Sequence, residues 1–271
     1  MISGTIGKLR AEVKAPLQYF FPVGGQEMAL AVDGQRRLRL QSTGQIICRA
    51  CQKLTRKSYS QGYCYPCFSR LAACDMCILK PEQCHYAAGT CREPAWGEAH
   101  CMVPHIVYLA NSSGLKVGIT RASQIPTRWI DQGASAALPL FQVGSRYHSG
   151  LLEVALARHV ADKTQWQALL RGEPPALDLV AEAERLLALC ADELALLERR
   201  FPGDRIALPA QVHHFSYPVL QYPEKVKALS LEPGQVLEGR LLGIKGQYLL
   251  LEQGVFNVRK FTSYVVDLEL D

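Results

Sequence analysis

The chain has 271 residues, 48% of them apolar and 20% charged, with a net charge of +5. That balance is globular: it excludes disorder along the whole chain, and no run of about 18 apolar residues is present to span a bilayer. The length suits two or three small domains. The first residues carry no apolar signal-peptide core, and Asp267–Asp271 match no lipidation or retention signal, so a cytoplasmic protein is expected. The charge is uneven. Residues 1–150 hold 17 Lys/Arg against 8 Asp/Glu, a balance of +9, and residues 151–271 hold 13 against 17, a balance of −4. A basic half of this kind suits a polyanion, although charge alone does not identify nucleic acid.

Residues 1–47 predict a β-rich lead-in. Leu17–Val23 is apolar and aromatic, Arg37–Gln41 alternates polar and apolar, and Gly24-Gly25 and Asp33-Gly34 supply turns. Residues 48–101 form a cysteine-rich segment with poor helical periodicity. Residues 102–205 predict an α/β unit: strands His105–Ala110 and Leu115–Thr120 make a hairpin across the turn 111–114. A short helix is expected over 124–133, ended by Asp131-Gln132-Gly133. Further helices are expected over 150–161 behind Ser149 as N-cap, and over 162–170, stopped by Gly172. Leu177, Val180, Leu187, Cys190, Leu194 and Leu197 set a helical stripe over 176–200, where a lone Cys190 is a small core residue. In 206–271, four strands over 235–244, 247–252, 255–258 and 263–268 predict a small barrel or meander. His213-His214 has no ligand partner at fitting spacing. The fold class expected is therefore α+β.

Nine of the ten cysteines lie between positions 48 and 101. In a reducing compartment disulfides are not expected, and bound metal is the natural source of order for such a segment. Cys48, Cys51, Cys64 and Cys67 form two C-x-x-C pairs 12 residues apart, the spacing that closes four thiolates around one structural Zn²⁺ in a ribbon-like turn pair. Lys53, Arg56 and Lys57 alternate with Tyr59, Tyr63 and Tyr65 between the pairs. This suits either phosphate and base contacts or a solvated loop with its own small core. A second structural Zn²⁺ is expected on Cys74, Cys77, Cys84 and Cys91, with His85, His100 and Cys101 as alternates. An iron–sulfur cluster is the rival for this second set.

The stretch from Ile106 to Glu153 resembles the GIY-YIG nuclease superfamily. Its first motif stands as Ile106-Val107-Tyr108 and its second as Lys116-Val117-Gly118-Ile119-Thr120, followed by Arg128 and by Glu153 at a helix start. Most of the chain is also similar to a bacterial family with no assigned activity, through T-C-R-E-P-A-W-G-E and V-Y-L-A-N-S-S-G-L-K-V-G-I-T-R. The superfamily resemblance implies a three-stranded antiparallel sheet flanked by helices and divalent-metal-dependent phosphodiester hydrolysis on DNA or structured RNA. In that scheme Tyr108 orients or deprotonates water, Arg128 and Arg121 contact phosphate, and Glu153 binds Mg²⁺ or Mn²⁺. Lys116 replaces the second motif's tyrosine, and the Asn that many members carry has only Gln165 near its place.

Bland roles exist for the same residues: Tyr108 as a strand aromatic, Gly118 as a bulge, and Arg128 with Glu153 as an ion pair between helices. Two further functions follow from the same features. One is a zinc-containing nucleic-acid or ribonucleoprotein-binding protein without catalysis; the other is a redox-linked protein holding a cluster.

Overall fold

The computed structural model describes residues 1–160 and 166–271. In chain order the elements are β1 (Ile2–Thr5), β2 (Arg10–Glu12), β3 (Gln18–Val23), β4 (Gln26–Leu30), β5 (Arg37–Ile46), α1 (Tyr65–Arg70) and α2 (Pro94–His100). Then come β6 (His105–Asn111), β7 (Leu115–Arg121), α3 (Thr127–Asp131), β8 (Ala136–Val143), α4 (Arg146–Ala157), α5 (Trp166–Leu169), α6 (Leu179–Leu189) and α7 (Ala191–Arg200). The chain closes with β9 (Ile206–Ala207), β10 (His213–His214), β11 (Val236–Lys245), β12 (Tyr248–Leu251), β13 (Gly254–Asn257) and β14 (Tyr264–Leu270). The fold is mixed α+β with antiparallel sheets.

The two ends of the chain build one β body. A six-stranded sheet runs β1-β14-β5-β11-β12-β13, and β2-β3-β4 forms a second sheet. The lead-in over 1–47 and the unit over 206–271, separate in the sequence-based division, are joined because β5 pairs with both β11 and β14. The alternation of Arg37–Gln41 continues to Ile46, and its inward residues Leu38 and Leu40 are fully buried. They meet Tyr19, Phe21, Leu241, Phe256 and Val266 in one apolar core.

The middle of the chain forms a five-stranded sheet in which β6 lies between β7 and β8. Every residue of β6 is buried. A strand covered on both faces needs a continuous apolar run, which Ile106–Ala110 supplies apart from the tyrosine hydroxyl. On one face Val107, Leu109 and Leu138 pack with Leu152 and Leu156 of α4 and Leu186 of α6. On the other, Ile106, Tyr108 and Ala110 pack against Trp129.

Several helix boundaries differ from those expected. α4 begins at Arg146, four residues before the predicted start, because Ser145 rather than Ser149 is the N-cap and accepts from the His148 N–H. Ser149 is buried in the first turn and donates to the Arg146 carbonyl at 2.8 Å. The single helix expected over 176–200 is two, α6 and α7. The chain bends at Cys190 (φ −98°, ψ 12°), which is fully buried. A capped helix also starts later than expected, where Asp178 accepts from the Val180 and Ala181 N–H groups. Of the helix expected over 162–170, Trp166–Leu169 is helical and the preceding residues, Gln165 among them, lie outside the described set. α3 ends at Asp131-Gln132-Gly133 as expected, with Gln132 as C-cap and Gly133 in the left-handed region, and Asp131 itself reaches further. Its carboxylate accepts from Lys8 Nζ at 2.8 Å and Gln247 Nε2 at 2.9 Å, tying the central sheet to the β body.

Candidate functional site

Two features concentrate chemistry: the cysteine segment and a cationic recess beside it.

Cys48 and Cys51 lie on one tight turn, Cys64 and Cys67 on another. Positive φ at Gln52, Ser60 and Gln61 lets the chain reverse, and Tyr65-Pro66 start α1 immediately after Cys64. The four sulfurs all lie within 4.8 Å of one another, and Cys51 Sγ is 3.8 Å from Cys64 Sγ. A tetrahedron with Zn–S bonds of 2.3 Å places its sulfurs ~3.8 Å apart, so this group can hold a metal ion such as zinc. Burial raises the Cys48 thiol, yet N–H donors from Cys51, Cys64 and Ala50 bring it down to about 6. In the same group, hydrogen bonds to Cys64, Cys51 and Cys48 push Cys67 up to about 12, so the sulfurs share their protons until a cation displaces them. The intervening aromatics form a small core of their own. Tyr59 lies 5.6 Å from Phe68 and 5.5 Å from Tyr65, and the cations of Lys57 and Arg49 sit over Tyr59 and Tyr63.

The second set is arranged differently from the sequence expectation. Cys74 does not join Cys77: it is buried among Arg92, Arg49 and Ser60, on the side of the first group. Cys77, Cys84, Cys91 and Cys101 share a small cavity instead. The turn after Cys74 separates them, since Asp75 is an extended N-cap that redirects the chain before Cys77. Asp75, Cys77 and His85 also converge within 4.8 Å. Asp75 is already engaged by Arg92 Nε at 2.6 Å, and His85 by Asp75 on one ring nitrogen and Thr90 on the other. His100 stacks on Trp96 and its Nδ1 meets the Trp96 carbonyl, outside the cavity.

The two motif strands pair as the hairpin requires, with Tyr108 directly opposite Gly118. Gly118 is not a bulge. A Cβ there would fall 2.7 Å from the Tyr108 hydroxyl, so glycine is required by close approach. Tyr108 is fully buried, its hydroxyl donates to Gln132 Oε1 at 2.7 Å, and burial pushes its pKa up to about 12. Arg121 and Arg128 line a recess of about 220 Å³ with Lys8, Arg146, Arg259 and Asp131. Lys8 and Arg259 also line a neighbouring recess of about 400 Å³ that reaches Arg49 of the first cysteine turn.

Only Lys8 among these cations has a carboxylate partner. Among the described residues, no carboxylate lies within 4.0 Å of Arg49, Arg121, Arg128, Arg146 or Arg259. Arg128 and Glu153 are therefore not the ion pair of the bland alternative. Burial and the neighbouring charges of Arg128 and Arg49 lower the pKa of Arg259.

Lys116, Tyr108 and Glu153 are not among the lining residues. Glu153 lies in the third turn of α4 rather than at its start, so the helix dipole does not hold it ionised. Burial raises its pKa, and Lys116, Arg146 and Arg128 oppose that rise. Lys8, Arg146 and Arg259 were not picked out from the sequence. They come from three distant segments, and only the fold makes them neighbours.

An α+β fold with a tetracysteine group that can hold a metal ion is thus the class of protein that the structure defines. A family model described as "Protein of unknown function (DUF2797)" matches residues 35–266, and the chain belongs to that family. No curated protein and no solved structure matches.

Proposed function

We propose that this chain is a nucleic-acid-processing protein that seats a phosphodiester backbone in the cationic recess. The observation that carries this is the set of five arginines without carboxylate partners around the two adjoining recesses. Crowding guanidinium groups that lack carboxylate partners is unfavourable in the free protein, and a polyanion relieves it; Arg121 and Arg128 offer their planar forks to phosphate oxygens, while Arg146, which donates to the Ile78 carbonyl, and Arg259, whose Nε donates to Gln61 Oε1, add charge. The zinc turn bearing Arg49 extends this surface, with zinc fixing the loop rather than doing chemistry. Measuring affinity for single-stranded DNA, duplex DNA and RNA as a function of salt tests the proposal, because neutralised phosphates release counterions.

The GIY-YIG resemblance remains part of this proposal. It is supported by Ile106-Val107-Tyr108 and Lys116–Thr120 lying on adjacent antiparallel strands, with Arg121 and Arg128 beside the recess. A hydrolytic reading would place a divalent ion at Glu153, a half-buried carboxylate whose ionised form Lys116, Arg146 and Arg128 favour and Glu82 opposes. Mg²⁺ commonly uses one or two carboxylates with substrate phosphate, so this donor set fits it. The ion would supply Lewis acidity when bound. Arg128 would hold the phosphate, Lys116 would keep Glu153 charged, and Tyr108 would act through Gln132 rather than as a free hydroxyl. Incubation of DNA and RNA with Mg²⁺ or Mn²⁺ distinguishes hydrolysis from binding alone.

A further inference from the structure

Cys77, Cys84, Cys91 and Cys101 are distinct from the first cysteine turns and border the cationic recess through Arg146 and Arg121, and their arrangement is not that of a single-ion site. Each comes from a turn of its own. Cys77 sits in the one-turn helix 76–78, Cys84 follows the one-turn helix 81–83, Cys91 follows the left-handed Gly89, and Cys101 closes α2. No two share a C-x-x-C turn, the device that brings paired sulfurs onto one ion in the first group.

The spacing in space agrees. Among the described residues, the first four sulfurs fall within 4.8 Å of one another, and no three of the second four do. One zinc ion requires sulfurs ~3.8 Å apart. All four line one small cavity. The other ligand candidates are spent, since Asp75 holds Arg92 and both ring nitrogens of His85 are engaged. That leaves the four thiols that line this cavity.

The surroundings suit a group larger and more negative than a zinc ion. Tyr86 and Trp96 wall the cavity. Gly97 faces it closely: a Cβ there would lie 3.3 Å from Cys91 Sγ and 3.1 Å from the Tyr86 ring. Arg92 lines the cavity, and Arg146 and Arg121 act on Cys101. Arg146 also clamps the cysteine segment, donating to the Ile78 carbonyl at 2.6 Å, while its backbone N–H donates to the Cys101 carbonyl at 2.8 Å. A cubane of four irons and four sulfides bound by four thiolates carries net negative charge, which Arg146 and Arg121 offset, Arg92 being already paired with Asp75. We infer that Cys77, Cys84, Cys91 and Cys101 hold a four-iron iron–sulfur cluster, with Cys74 excluded. This stands independently of whether the protein binds nucleic acid.

The test is anaerobic purification of the full chain, followed by iron, acid-labile sulfide and zinc analysis and a visible spectrum before and after dithionite. The expected result is about four irons and about four sulfides with one zinc per chain, and a brown chromophore bleached by reduction. Cys101→Ala should lose the iron and colour and keep the zinc. Cys91→Ala, at a half-buried position, should do the same and serves if Cys101→Ala does not fold. Cys74→Ala should keep the full iron content. Two zincs per chain without sulfide would overturn the assignment. So would about two irons and two sulfides, or loss of the cluster in Cys74→Ala with retention in Cys101→Ala.

Discussion

Gly150 of α4 presses directly on Pro81 of the cysteine segment. A Cβ at position 150 would lie 2.9 Å from the Pro81 carbonyl carbon and 2.8 Å from the Glu82 nitrogen, both backbone atoms that cannot step aside. The helix that carries Arg146 and Glu153 is thereby docked against the cysteine segment. In an exposed helix, Gly→Ala gains about 1 kcal/mol. Here Gly150→Ala should instead lose about 1–3 kcal/mol by overpacking. Urea unfolding of the two proteins gives the sign, and stabilisation by the alanine would show that the contact does not constrain the fold.

Order in the first cysteine turns should depend on metal. Chelation, or replacement of both Cys48 and Cys51 by Ser, should remove about one zinc per chain and expose residues 48–70 to protease, because binding free energy is folding free energy in such turns. Elemental analysis with limited proteolysis measures both. Unchanged zinc in the double variant would place the ion elsewhere.

His105, one residue ahead of the first motif, sets a pH dependence. It is fully buried, its Nδ1 meets the Val103 carbonyl, and its Nε2 has no partner. Burial lowers its pKa from 6.5 to about 4. Between those values the unfolded chain binds the proton and the folded chain does not. The stability contributed by neutral His105 is therefore complete above 6.5 and is lost as pH falls towards 4, by an amount on the order of 3 kcal/mol. His105→Gln should flatten this limb of the stability–pH curve, and a parallel curve for the variant would assign the dependence to another group.

The hairpin was legible because two apolar runs flank a turn, and the first cysteine group because C-x-x-C spacing is a local signal. What escaped the sequence is non-local. Nothing near Arg37 announces that its strand pairs with both Val236 and Leu270. The structure groups Cys77 with Cys84, Cys91 and Cys101 rather than with Cys74, its C-x-x-C partner in sequence, because the extended Asp75 redirects the chain. Glu153 lies about one turn further into its helix than expected, since Ser145 and Ser149 are equally good caps in sequence and it is Ser145 that accepts from the His148 N–H. The cationic recess was invisible because Lys8, Arg146 and Arg259 are drawn together from three parts of the chain.

If the hydrolytic reading holds, Glu153→Gln should reduce Mg²⁺- or Mn²⁺-dependent cleavage by at least about a hundredfold while leaving nucleic-acid affinity unchanged or slightly higher. The fold should persist, because the amide fills the same half-buried space. Cleavage assays on matched preparations of wild type, Glu153→Gln and Arg128→Ala measure this. Equal cleavage by all three would trace the activity to a contaminant.

The most direct test of the central claim is the salt dependence of nucleic-acid binding by wild type and by Arg128→Gln with Arg259→Gln. The recess should make log affinity fall linearly with log salt, and the double variant should weaken binding to all sequences alike and reduce the slope by about two. Affinity that is flat with salt, or an unchanged slope in the double variant, would contradict a phosphate backbone seated among these arginines.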